Sequence, residues 1–227
     1  MVRFPNEACG SADNFNGTCY TASECTSLGG SSSGTCASGF GVCCVFSLAC
    51  GGRTNANTSY ATVNSFSTTN DRDPCTYTYC KCSDDVCKLR IDFETMVIAD
   101  PVEWSGAAPA VAAQISPEGF NVGDCDTDTL SSRFASILLF CRVMVILVGV
   151  PGFTPPPIIC GYNTGQHMYV PACPSCVTIT LDLDTGTSAT RQWQIKVTQY
   201  ECGNLNAPEE ECLQYHTAIS GLYEMTV

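Results

Sequence analysis

The chain has 227 residues, with 10 basic side chains against 22 acidic ones, and its formal charge of −12 repels phosphate backbones and anionic headgroups, which excludes nucleic acid as the expected partner. Charged residues make up 14% against a usual ~25%, Ser, Thr, Asn and Gly fill the gap, and the length suits one domain of about 100–150 residues plus a small satellite. Eighteen cysteines beside only two histidines, His167 and His216, and without paired CxxC units at zinc-ribbon spacing, point to disulfides in a secreted protein rather than to metal quartets in a reduced compartment.

No signal peptide precedes Val2-Arg3-Phe4-Pro5, as expected of a processed or trimmed chain. Residues 9 to 44 hold Cys9, Cys19, Cys25, Cys36, Cys43 and Cys44 among Gly, Ser and Thr, with almost no aliphatic side chain before Val42. A segment this poor in apolar groups cannot offset its ordering entropy by burial, so cross-links must do so. Six cysteines allow fifteen connectivities, and spacing does not choose among them. Two glycosylation sequons, Asn16-Gly17-Thr18 and Asn57-Thr58-Ser59, agree with export.

From Cys50 onward the texture is that of strands and turns. Around Cys75, Cys80, Cys82 and Cys87 the clearest strand has Leu89, Ile91 and Phe93 on one face and Lys88, Arg90, Asp92 and Glu94 on the other, one side for a core and one for water. The flanking Thr76, Tyr77, Thr78 and Tyr79 suit a pleated sheet whose edge is fixed covalently. Phe134 to Val150 is an apolar run broken by Ser136, Cys141, Arg142 and Gly149. A buried hairpin, a membrane span and a misassigned insert are the three readings of it. The span is disfavoured by its central Arg, which costs about 2.5–3.5 kcal/mol, and by a length at the short limit of about 17–25 residues. Val177 to Leu183 and Gln192 to Val197 read as a last pair of strands joined through Asp184-Thr185-Gly186. Cys212-Leu213-Gln214-Tyr215 and Gly221 to Val227 read as the opening strands of another module.

Four short patterns mimic catalytic or binding motifs. Gly30-Ser31-Ser32-Ser33-Gly34 matches a nucleophile elbow but lies in a Gly/Ser loop without the strand and helix the chemistry needs. Asp184-Thr185-Gly186 resembles the turn of an aspartic protease, yet that reaction needs two carboxylates and the motif occurs once. Cys173-Pro174-Ser175-Cys176 lacks a following helix to lower a thiolate pKa and reads as structural. His167, between Gly165 and Met168, reads as a surface or hydrogen-bonded residue of a polar turn.

The six-cysteine segment closing on Gly41-Val42-Cys43-Cys44 resembles the clip domain of arthropod extracellular proteins. That resemblance implies the pairs Cys9–Cys43, Cys19–Cys36 and Cys25–Cys44. The order Cys50-Gly51-Gly52, Cys75-Thr76-Tyr77, Cys125-Asp126-Thr127-Asp128 and Cys160-Gly161 resembles a CUB domain, a disulfide-linked extracellular β-sandwich. Together with Phe4-Pro5-Asn6, Gly39-Phe40-Gly41-Val42-Cys43-Cys44 and Cys160-Gly161-Tyr162-Asn163-Thr164-Gly165-Gln166-His167-Met168-Tyr169-Val170, it is similar to a family of arthropod secreted CUB-containing proteins. By that analogy Cys50–Cys75 and Cys125–Cys160 are the sandwich disulfides. Cys80, Cys82, Cys87, Cys141, Cys173, Cys176, Cys202 and Cys212 remain without an assigned partner.

The resemblance therefore implies an all-β chain: a clip-like module over residues 1–46, a CUB-type jelly-roll β-sandwich over 50–202, and the start of a second module or a strand-forming tail over 203–227. Many CUB domains hold calcium, and the resemblance places candidate ligands at Asp128 and Asp184, with Asp100 next to Ala99, which stands where the first acid is expected. The alternative is that these acids are solvated strand ends, since calcium wants six to eight oxygens. The implied function is non-enzymatic binding of extracellular proteins or glycans through a disulfide-fixed surface. Two other readings stay open: a homo-oligomeric filament built by strand addition at Met1 to Phe4 and Gly221 to Val227, and a regulatory part of a larger protease.

Overall fold

The computed structural model describes residues 3–66, 74–101, 125, 128–134, 158–172, 176–184, 191–208 and 214. The fold is all-β and disulfide-rich, with three sheets among the described residues.

The first sheet is antiparallel. It contains β1 (Ala8–Gly10), β2 (Asn16–Tyr20), β3 (Ser31–Cys36) and β4 (Gly41–Val45) in the order β1-β2-β4-β3. One helix, α1 (Ala22–Ser27), links β2 to β3. Its start is written in Thr21-x-x-Glu24, where Thr21 Oγ1 accepts from the Glu24 N–H at 3.2 Å and Glu24 Oε2 accepts from the Thr21 N–H at 3.0 Å. The buried centre is small, with Cys25, Cys44 and Phe46 flanked by Tyr20, Val42 and Ala56. Cys9–Cys43, Cys19–Cys36 and Cys25–Cys44 cross it, the same three pairs that the clip resemblance implies. The bridges require glycine at Gly41, where a Cβ would fall 2.8 Å from the sulfurs of both Cys19 and Cys36.

The other two sheets share one core. A four-stranded sheet has the order β10-β12-β8-β6, built from β6 (Arg53–Thr54), β8 (Cys75–Cys80), β10 (Thr129–Phe134) and β12 (Cys176–Asp182). A five-stranded sheet has the order β11-β9-β13-β7-β5, built from β5 (Ser47–Leu48), β7 (Thr58–Phe66), β9 (Val86–Val97), β11 (His167–Pro171) and β13 (Arg191–Glu201). Tyr77, Tyr79, Leu130, Ile179 and Leu181 from one sheet meet Leu89, Ile91, Phe93, Trp193 and Ile195 from the other, so the two sheets form a sandwich. In β9 the alternation is as the sequence reads it, Leu89, Ile91 and Phe93 being buried.

Two sequence readings change. The segments Val177 to Leu183 and Gln192 to Val197 do not pair as a hairpin. The first falls in β12, between β10 and β8, and the second in β13, between β9 and β7. Alternation states which face of a strand is buried, but not which neighbour supplies its ladder. His167 is not in a turn but opens β11 opposite Asp92, buried at 7% exposure.

Cys50–Cys75 and Cys125–Cys160 are bonded, and two pairs that the sequence left open are Cys80–Cys176 and Cys87–Cys202. Cys80–Cys176 joins directly opposed residues at the ends of β8 and β12, the two central strands of their sheet, rather than fixing an edge strand. Cys82 is exposed and has no disulfide partner among the described residues. Among the described residues no helix is long and apolar enough to cross a membrane. The apolar run beyond Phe134, Asp184's partners in the Asp-Thr-Gly motif, and Gly221 to Val227 lie outside the described residues.

Candidate functional site

The polar face of β9 and β13 is the floor of a cleft of about 750 Å³ whose far wall is the small N-terminal sheet. The strand pattern that buries Leu89, Ile91 and Phe93 necessarily turns Arg90, Asp92 and Glu94 outward, and the same parity in β13 presents Lys196, Thr198 and Tyr200. Register then sets the neighbours: Asp92 lies opposite Lys196 on one side and His167 on the other, and Arg90 opposite Thr198 and Tyr169.

A seam on Tyr60 holds the opposite wall in place. Tyr60 lies on the outward side of β7, yet it is only 1% exposed. Phe15 packs edge-on against its ring at 4.6 Å between centroids, and its hydroxyl accepts the Asn16 N–H at 2.7 Å. Burial therefore holds the Tyr60 phenol above its ordinary value. Farther along the seam, Gln199 projects inward from β13. Its side chain accepts the Cys82 N–H at 2.8 Å and donates to Ala56 O at 3.0 Å and Cys80 O at 2.8 Å, tying three segments together.

Within the cleft, Arg90 is held from two sides. Nε donates to Asp92 Oδ1 at 2.7 Å, Nη1 donates to Tyr169 Oη at 3.1 Å, and the guanidinium carbon stands 5.6 Å from the Tyr169 centroid. Partial burial pulls its pKa down, but the bonds to Asp92 and Tyr169 outweigh that and leave it raised. Tyr169 and Tyr200 meet at a tilt of 55°, 6.1 Å between centroids, and burial together with the Tyr169 phenol raises the Tyr200 pKa. Gln194 donates to Glu94. Lys196 makes no side-chain hydrogen bond or ion pair with another described residue, so its ammonium remains available to whatever enters. The chain after β13 closes one margin: Tyr169 Oη donates to Asn206 O at 3.3 Å, Lys88 Nζ to Pro208 O at 2.5 Å, and Gln214 Nε2 to His167 O at 3.2 Å. The described part of the tail thus lies on the sandwich.

The sequon residues come together. Asn16, on the N-terminal wall, and Asn57, just before β7, are both exposed and both line this cleft. The three acids singled out for calcium lie elsewhere, at an end of the sandwich. Asp128, just before β10, is 0% exposed, and its oxygens accept from Ala99 N at 2.8 Å, Asp184 N at 2.9 Å, Arg191 Nε at 2.6 Å and Arg191 Nη2 at 2.7 Å. Asp184 also gives its carbonyl oxygen to Arg191 Nη2 at 2.5 Å. Asp100 is buried beside Gly161, whose Cβ position would fall 3.3 Å from Asp100 Oδ1.

The sequence reading placed Arg90 on a solvated strand face and gave Tyr169, Lys196 and Tyr200 no role of their own. The usable signal was aromatic residues on outward positions of the charged strands. It missed Arg191 altogether, although Arg191 shares the inward parity of Trp193, Ile195 and Val197, and a buried guanidinium requires a counter-charge.

The geometry defines a class: a disulfide-linked β-sandwich with a small cysteine-rich sheet docked on its polar face and an open polar cleft between them. No family model matches the chain, and no curated protein matches it.

Proposed function

We propose that the chain is a secreted, non-enzymatic binding protein, a clip-like module followed by a CUB-like sandwich, which takes an extracellular glycan or protein segment in the cleft over β9 and β13. The observation that carries this reading is the cleft's composition. Lys196 offers an ammonium without a partner among the described residues, Arg90 and Asp92 are fixed by each other, and the half-buried Tyr200 supplies aromatic surface, on strands β9 and β13 that the Cys87–Cys202 bond ties together. Prearranged polar groups beside aromatic rings are what a hydroxyl-rich or mixed-charge ligand needs, because little ordering remains to be done on binding. A catalytic use is disfavoured because the Asp92 and Glu94 carboxylates are held by Arg90 and Gln194.

The decisive experiment screens the intact protein against immobilised neutral and acidic oligosaccharides and extracellular-matrix proteins, alongside Lys196→Ala and Tyr200→Ala. Binding by the wild type that falls at least tenfold in both variants, with unchanged thermal unfolding, supports the cleft. Binding that both variants retain in full rules it out. Peptide mass mapping before and after enzymatic deglycosylation tests Asn16 and Asn57 in material secreted from eukaryotic cells.

A further inference from the structure

We infer that Arg191 is the built-in cation of the Asp128 cluster, standing where the CUB resemblance places calcium, so that this end of the sandwich is held without a metal ion. The inference is independent of the cleft. An ionised carboxylate offers about four lone-pair sites. Asp128 uses four: Ala99 N and Arg191 Nε on Oδ2, Asp184 N and Arg191 Nη2 on Oδ1. A calcium ion needs six to eight oxygens at about 2.3–2.6 Å. Here the central carboxylate has no lone pair left, and the Asp184 carbonyl, a natural calcium ligand, already accepts from Arg191.

Charge argues the same way. The guanidinium is 2% exposed and lies 2.6 Å from Asp128, so a divalent ion entering beside it would meet a fixed positive charge screened by little water. The planar fork of Arg does what a metal does elsewhere, because it reaches both oxygens of one carboxylate and a carbonyl at once. Through it the start of β13 is joined to the segment before β10, the end of β12, and, by way of Ala99, the segment after β9. Those segments belong to both sheets of the sandwich. An internal cation is always present, so this end keeps its shape at any calcium concentration.

The test is thermal unfolding of the intact, oxidised protein in chelator and in millimolar calcium, for wild type, Arg191→Ala and Arg90→Ala. Expected are a wild-type Tm that is the same in both buffers, an Arg191→Ala Tm well below that of Arg90→Ala, and partial recovery of Arg191→Ala in calcium as the vacated Asp128 carboxylate and Asp184 carbonyl accept the ion. A wild-type Tm that rises with calcium and falls with chelator overturns the inference. So does an Arg191→Ala protein with wild-type Tm, or one whose lowered Tm ignores calcium. Should the alanine variant not fold, Arg191→Gln, which keeps one amide donor toward Asp128, carries the same readings.

Discussion

The indole N–H of Trp193 donates to the hydroxyl of Tyr77 at 3.0 Å, one polar bond running between the two sheets through an otherwise apolar core. Trp193 is 1% exposed and Tyr77 is fully buried, so neither atom has water to fall back on. Tyr77→Phe keeps the ring but strands the indole donor, and leaving a buried donor unsatisfied costs about 1–3 kcal/mol. The denaturant midpoint, followed by tryptophan fluorescence, should shift by that amount with no change in slope. Trp193→Phe combined with Tyr77→Phe removes both partners, and should cost less than the two single changes added together.

Tyr60 makes a separate prediction, about the seam. Its hydroxyl accepts the Asn16 N–H, and its ring meets Phe15. Tyr60→Phe keeps the ring contact and removes the acceptor, so the Asn16 amide should lose hydrogen-exchange protection while the amides of β9 and β13 keep theirs. The expected destabilisation is about 0.5–1.5 kcal/mol, the net worth of one such bond. Equal loss of protection in β9 would show that seam and sandwich unfold as one unit.

Alkaline pH should find the buried phenols. Burial raises the pKa of Tyr79, which the nearby Tyr77 raises further, and burial likewise raises Tyr77 and Tyr60 above the ordinary 10.0. The folded state then holds protons that the unfolded chain releases, so stability is complete below about pH 10 and declines as pH rises through the folded values. Phenolate absorbance in the native protein should show these tyrosines silent where exposed phenols titrate, and they should appear only with unfolding. Tyr79→Phe, which removes a hydroxyl that has no hydrogen-bond partner among the described residues, should flatten the alkaline decline.

Much of the sandwich was legible because a strand with one buried face writes its geometry directly as period two, as Lys88 to Glu94 do in β9. The start of helix α1 is written in Thr21-x-x-Glu24 but went unread, because a six-residue element among Gly and Ser carries almost no periodic signal to draw attention to it. What the sequence did not carry was pairing. Cys80 meets Cys176 and Cys87 meets Cys202 across separations of 96 and 115 residues, contacts that register decides and local pattern does not. The cleft was hidden for the same reason, since Asn16, Arg90 and Lys196 become neighbours only when the N-terminal sheet settles on β7.

Gln199 shows how one polar side chain at an apolar position can govern a junction. By parity it belongs with Val197 and Ile195, and it is 6% exposed, yet its side chain bonds three main-chain groups: Cys82 N, Ala56 O and Cys80 O. Cys82 and Ala56 lie in the turn after β8 and the approach to β7, outside the strands, and Cys80 is the last residue of β8, one past the end of its ladder to β6. Gln199→Leu fills the volume and removes all three bonds, leaving one donor and two acceptors in a partly buried setting, so a loss of about 2–4 kcal/mol is expected from penalties of about 1–3 kcal/mol each, discounted for water reaching the exposed Cys82. Gln199→Glu keeps the acceptor for Cys82 but turns both donors into acceptors facing carbonyls, and should destabilise at neutral pH and recover as the carboxyl is protonated in acid. A leucine variant as stable as wild type by chemical denaturation would show that the Cys80 to Cys82 turn is held by its disulfide alone.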